Sequence, residues 1–156
     1  MPKDHPVYQA LGALDELNSL LGLCRVQSCD RETASLLAEV QEALFVMQAE
    51  VAGAPKSITE TMVATLEAAI ARVEDDLPNP HAFVVPGSSK AEAFLDYARA
   101  VARRAEREMV TLHHVRPLSS PLRAYLNRLS SFLYALARHA AAAEGMHEPA
   151  PRYEVQ

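Results

Sequence analysis

The chain has 156 residues, enough for one domain with a real core. Hydrophobic residues make up 49% and aromatics only 6%, Trp is absent, and Ala and Leu dominate, which is the composition of a helical bundle. The net charge of −5 argues against a general nucleic-acid binder, and no apolar run approaches the length of a membrane span. Two cysteines, Cys24 and Cys29, form neither a disulfide framework nor a zinc spacing. With no signal peptide in the text, the expected location is a reducing one, the cytoplasm.

Residues 1–6 are polar, carry two prolines and read as an arm. Its cationic candidates, Lys3 and His5, read as solvated. The first predicted helix runs from about Val7 to Val26, with Ala10, Leu14, Leu17, Leu21 and Cys24 as its apolar stripe. Asp15 and Asn18 interrupt an otherwise apolar text, LGALDELNSLLGL. Asp15 lies about a quarter-turn off the stripe and taken alone reads as a surface acid. Gly12 and Gly22 each cost about 1 kcal/mol relative to Ala inside a helix, so their presence predicts close approach of another backbone.

Asp30 is the expected cap of a second helix, which ends at Gly53-Ala54-Pro55. Leu37, Val40, Leu44, Met47 and Val51 form its stripe. Thr59 caps a third, with Met62, Leu66, Ala69 and Val73 inward, ending before Pro78-Asn79-Pro80. Phe83-Val84-Val85 is an apolar bead, and Pro86-Gly87 turns the chain.

Ser88 or Ser89 then caps a fourth helix. Phe94, Ala98, Val101, Ala105, Met109 and Leu112 fall on its core stripe. Arg99, Arg103 and Arg107 form a column on the opposite face, with Glu92 and Asp96 above and Glu106 at the flank. Asp96 is placed to pair with Arg99 at i,i+3. Arg103 and Arg107 have no acid one turn away on their own ridge. Such a column is either a solvated face or a site for an anion or a partner's acid, because Arg suits phosphate forks. His113 and His114 point about 100° apart on a helix and make a poor metal pair, and no histidine spacing predicts a metal site. A last helix begins around Pro121, with Ser120 as its expected cap and Leu122, Leu126, Leu129, Leu133, Leu136 and Ala140 inward. Asn127, Ser131 and Arg138 share a flank about 150° away and read as solvated. The tail from Gly145 is proline-rich and reads as extended.

Five amphipathic helices without a strand pattern predict one all-α domain over 1–156, a ferritin-like up-and-down five-helix bundle. Physics alone yields no reaction.

Four separated segments together resemble the PduO-type ATP:cob(I)alamin adenosyltransferases. They are KDHP…LGALDELNSLLGL, SIT…LEAAI, FVVPGSS…ARAVARRAER and YLNRLSSFLYALAR. Their order matches, and they span nearly the whole chain. The resemblance implies a five-helix bundle assembled as a homotrimer, with ATP bound between neighbours. It implies transfer of the 5′-deoxyadenosyl group of ATP to the cobalt of a corrinoid, with triphosphate released and Mg²⁺ on the phosphates.

The resemblance also implies roles. Arg103 looks like the triphosphate arginine, with Glu106 orienting the arginines, Asn127 contacting the nucleotide and Lys3 approaching the phosphates. Arg99 and Asp15 look like a pair across the subunit interface. Phe83 looks like the aromatic that crowds the lower face of the corrin. A reductase and an adenosylcobalamin-dependent mutase or dehydratase are the implied partners.

Three small departures stand out. LFVMQAEVA replaces LFxLGAELA, PGSS replaces PGGS or PGGT, and Ser131 stands where Asp is usual. A larger one is the family's phosphate-wrapping TGxGDxGxT segment, which has no counterpart in this text. Three readings therefore stay open: an enzyme whose Gly-rich segment lies upstream of this text, a homologue that binds corrinoid or nucleotide without catalysis, and a structural assembly domain whose arginine column pairs with acids of a neighbour.

Overall fold

A computed structural model describes residues 2–28 and 30–153, so Cys29, which the sequence leaves unpaired, lies outside the described residues. Five helices follow in order: α1 (Pro6–Gln27), α2 (Arg31–Val51), α3 (Glu60–Asp75), α4 (Lys90–Val115) and α5 (Ser120–Ala143). There is no strand among the described residues, and no helix is long and apolar enough to cross a membrane.

Each helix starts where a side chain satisfies an orphan amide of the first turn. Asp30 accepts from Thr33 N, Thr59 from Met62 N and Ser89 from Glu92 N. Two starts differ from expectation. His5 is not simply solvated: its Nδ1 accepts from Val7 N at 3.1 Å and caps α1. Helix α5 begins one residue early, because Ser119 rather than Ser120 reaches Leu122 N.

The apolar stripes face one another as their spacing requires. Leu14, Leu17, Leu21, Leu37, Leu44, Met47, Met109, Leu112, Leu122, Leu126 and Leu129 are fully buried. At the margins, Met62, Phe94 and Ala140 are only partly buried against this core. Helix α4 packs between α1 and α5, α2 lies on α1, and α3 lies on α5. Cross-links at the rim join these layers: Arg104 pairs with Glu16, and Arg128 with Glu67 at 3.1 Å. Between α2, α3 and α5, a cleft of about 290 Å³ is lined in part by Val40, Met62, Leu66 and Tyr125.

The two helical glycines do not mark a close backbone. A Cβ on Gly12 would meet nothing within 4 Å, and one on Gly22 would meet only Gln41 Nε2 at 3.7 Å. Gln41 instead reaches past Gly22 to donate to the Asn18 carbonyl at 3.1 Å.

Cys24 sits on the buried stripe of α1, and burial pushes its thiol up to about 12. The thiolate is the reactive form. In a Cys29→Ser background, alkylation of Cys24 at mildly alkaline pH is therefore expected to be about a thousandfold slower in the native protein than in denaturant. Similar rates in both states, followed by mass spectrometry, would contradict this burial.

Candidate functional site

The site begins with the turn before α4. Gly87 adopts φ +110°, a conformation that favours glycine, and bends residues 86–89 back over the helix start. This brings Gly87 N and Ser88 N to Glu92 Oε2, at 2.7 and 2.8 Å. Ser88 Oγ approaches the same oxygen at 3.2 Å. Glu92 is thereby fully buried, which corrects its placement on the outer face of α4. Helical spacing alone does not anticipate a loop that covers the first turn.

A buried carboxylate needs a charge partner. Arg138 supplies it from α5: its Nη2 donates to Glu92 Oε1 at 3.1 Å and its Nε to Glu148 Oε1 at 2.8 Å. Arg138, expected to be solvated, is only 4% exposed and stacks over the Tyr134 ring at 4.6 Å. Removal from water raises the Glu148 carboxyl above its ordinary range. The Arg138 guanidinium lowers it, and Glu92 and Asp96 add to the rise.

Beside this network lies a cavity of about 420 Å³ between α4, α5 and the loop after α3. Phe83, Val84 and Pro86 line it from the loop, Asp96, Arg99 and Arg103 from α4, and Ser130, Ser131, Tyr134 and Arg138 from α5. Phe83 is 84% exposed, so it projects from the loop instead of anchoring it in the core. Arg99 pairs with Asp96 as expected, Nε to Oδ1 at 3.0 Å. Arg103 and Arg107 are exposed and make no ion pair among the described residues. The cavity thus presents cationic forks on one side and an unpacked aromatic on the other.

The remaining predicted residues lie elsewhere. Asn127 Nδ2 donates to Glu106 Oε2 at 3.1 Å, joining α5 to α4, and Asn127 Oδ1 accepts from Arg128 Nη1 at 2.6 Å. Neither Asn127 nor Glu106 lines the cavity. Lys3 is exposed in the turn before α1, and Asp15 is exposed on α1. Within the chain, Arg99 is bonded to Asp96 and not to Asp15. No group of His, Cys, Asp and Glu among the described residues could hold a metal ion, and His113 instead accepts from Leu118 N at 2.9 Å.

Sequence reasoning from the residues missed Glu92, Arg138, Tyr134 and Glu148. A signal for the first was present: Ser89 and Glu92 have the spacing of a capping box. A lone arginine inside the apolar run YALARHAAAA was the signal for the second.

Comparison with known proteins gives a consistent picture. The cobalamin adenosyltransferase family model matches residues 1–140. The corrinoid adenosyltransferase PduO of Salmonella typhimurium is 41% identical over 143 residues, 87% of this chain and 43% of its own length. The mouse corrinoid adenosyltransferase MMAB is 34% identical, over 94% of this chain and 67% of its own. The chain thus spans less than half of the Salmonella relative. A solved structure of a PduO-type ATP:corrinoid adenosyltransferase from Lactobacillus reuteri, a phenylalanine-to-alanine variant complexed with cobalamin and ATP, superposes with a TM-score of 0.89. It shares 26% identity, covering 98% of this chain and 90% of that one. An arginine-to-lysine variant from the same organism, complexed with ATP, gives 0.90 at 28% identity, over 97% of this chain and 90% of that one.

The geometry separates two arginines that the sequence treats alike. Arg138→Ala strands a buried carboxylate and is expected to cost about 3–5 kcal/mol. Arg103→Ala, at the surface, is expected to change stability by no more than about 0.5 kcal/mol. Denaturant titrations yielding equal losses would refute this division.

Glu148 carries a pH signature. Its raised value means that the folded state binds its proton more tightly than the unfolded chain. Its contribution to stability is therefore fully present below the unfolded pKa and is lost as pH rises through the folded one. Glu148→Gln lacks this loss, so its melting temperature relative to wild type is expected to rise as pH climbs through and above the ordinary carboxylate range. A constant difference across that range would show that Glu148 is not so perturbed.

Proposed function

This chain belongs to the cobalamin adenosyltransferase family, and we propose that it transfers the 5′-deoxyadenosyl group of ATP to cob(I)alamin, forming adenosylcobalamin. The observation that carries the reading is the cavity shared by Phe83, Arg99 and Arg103, drawn from two separated stretches of sequence. Relatives named for this activity and neighbours solved with cobalamin and ATP support it.

In the reaction, the electron pair of Co(I) forms the bond to C5′. The C5′–O bond breaks, and its pair leaves on triphosphate. The protein's task is orientation, stabilisation of phosphate charge and exclusion of water. Arg103, unpaired and on a rigid helix, binds the triphosphate. Asn127, with its amide bonded to Glu106, contacts the nucleotide, and Lys3 approaches the phosphates. Mg²⁺ travels with the triphosphate, since no acidic cluster of the described residues would hold it.

Phe83, free of core packing, crowds the lower face of the corrin and displaces the axial base. The four-coordinate Co(II) left behind is easier to reduce. That reduction requires an electron donor, which we assign to a reductase, and the product serves a mutase or dehydratase. The setting is the cytoplasm.

Assembly completes the site. The Arg99–Asp96 contacts use Arg99 Nε and Nη2, and Nη1 has no partner among the described residues. We assign Asp15 of a neighbouring copy to that position, in an active form that is a homotrimer.

Anaerobic mixing of cob(I)alamin with ATP, followed by the absorbance of adenosylcobalamin, tests the reaction. Binding of both ligands without turnover would favour a non-catalytic binder. A charge-assisted hydrogen bond contributes about 1.5–3 kcal/mol, so Arg103→Ala is expected to weaken ATP binding or turnover about ten- to a hundredfold or more. Arg103→Lys should restore part of it, since Lys lacks the planar fork. Wild-type kinetics in a folded Arg103→Ala would remove this arginine from the site.

Phe83→Ala is expected to weaken the four-coordinate Co(II) spectrum while the fold persists, and an unchanged spectrum would return Phe83 to a loop residue. Sedimentation at micromolar concentration is expected to show a trimer that both Asp15→Ala and Arg99→Ala loosen. A monomeric wild type would defeat this assembly.

A further inference from the structure

The C-terminal tail does not simply run off α5. Gly145, at φ +66°, ends the helix in a Schellman turn: its N–H donates to Ala142 O at 3.1 Å, and Met146 N–H to Ala141 O at 2.9 Å. The chain therefore doubles back toward the loop that precedes α4. Glu148 then accepts from Arg138 Nε at 2.8 Å, and Pro149 O accepts from Val85 N at 2.8 Å.

That last bond falls two residues from Phe83. The loop carrying Phe83 is thus held at two places, by the tail at Val85 and by Glu92 at Gly87 and Ser88. Arg138 joins both anchors, since one guanidinium serves Glu92 and Glu148. With a ring that is 84% exposed, Phe83 gains little position from its own packing. Its height over the cavity is set by these backbone anchors.

We propose that residues 145–150 form a strap that fixes the Phe83 loop, and that Arg138 and Glu148 are positioning residues for corrinoid binding. The structural part stands on the bonds above; the corrinoid part rests on the function proposed for the cavity. Beyond its Schellman turn the strap is held, among the described residues, by one ion pair and one backbone bond, so it is the weaker of the two anchors. Its release leaves the Glu92 anchor in place and frees only the end of the loop that carries Phe83.

Glu148→Ala removes the acceptor, and Glu148→Gln keeps one. Deuterium uptake of residues 83–85 is expected to rise about tenfold in Glu148→Ala, with uptake at Gly87 and Ser88 and in the body of α4 unchanged. Its KM for corrinoid is expected to rise about five- to tenfold, at an unchanged KM for ATP and with a weaker four-coordinate Co(II) spectrum. Glu148→Gln should restore most of each property. Arg138→Lys, which cannot serve both carboxylates as the guanidinium does, should loosen residues 83–85 at least as much and, by weakening the Glu92 anchor, Gly87 and Ser88 as well.

Wild-type exchange over 83–85 in a folded Glu148→Ala would overturn the strap. Faster exchange with unchanged corrinoid KM and spectrum would overturn the positioning role. A wild-type protein that neither binds nor turns over corrinoid would overturn the function and the positioning role together, and the exchange rates alone would then decide the strap.

Discussion

The fold around the cavity depends on a single buried carboxylate. Glu92 is removed from water yet accepts from two loop amides, a serine hydroxyl and a guanidinium. Burying one ion costs several kcal/mol, and only near-complete coordination offsets it. The consequence is geometric. Because Glu92 must be satisfied, the Pro86–Gly87 turn has to fold over α4, and α5 has to present Arg138 opposite it. Arg138 is in turn confined by Tyr134 beneath it and Glu148 beside it. Loop, two helices and tail thus share one electrostatic constraint. The groups that the network leaves buried without a partner include Arg138 Nη1 and Tyr134 OH, and both residues line the cavity. The cavity wall thus holds two polar groups that the protein does not satisfy itself, while Asn18 Oδ1 and His139 Nδ1 are likewise unpartnered but lie away from it.

Most of the fold was legible because it rests on periodicity. Ala10, Leu14, Leu17, Leu21 and Cys24 repeat at helical spacing, and every one is buried. The same holds for Leu37 through Val51 on α2. What periodicity does not contain is the path of loops. Glu92 lies on the polar side of its helix by angle, and it is buried because residues 86–89 come back across that side. Arg138 fails for the same reason. Gly12 and Gly22 mislead in another way: small residues permit close approach, but here no backbone takes the space.

The site divides along similar lines. The arginine column was visible in spacing, and the structure adds why only part of it is free. Asp96 occupies Arg99, and Glu16 of α1 takes Arg104, which lies off the column. Neither acid is shared with Arg103 or Arg107. Spacing alone did not choose among the four, and the resemblance to a family did. Lys3 and Asp15 mark the limit of what one chain contains, since neither lines the cavity. The roles proposed for them require the arm and a neighbouring copy.

The two walls of the cavity differ in what holds them. Arg99 and Arg103 stand on a helix whose other face buries Ala98, Val101, Ala102 and Ala105, so their backbone moves only if the core moves. Packing of this kind is dense and resists displacement. Phe83 stands on a loop retained by hydrogen bonds and the two ion pairs of Arg138, interactions that open locally at far lower cost than the core. For the proposed reaction this asymmetry is useful. In-line displacement needs the triphosphate fixed closely, because small misplacements cost rate steeply. A corrin is wide and flat, and it needs a wall that yields on entry and then presses on one face. A rigid cationic side and a strapped, compliant aromatic side meet those demands separately, so that loosening one need not disorder the other.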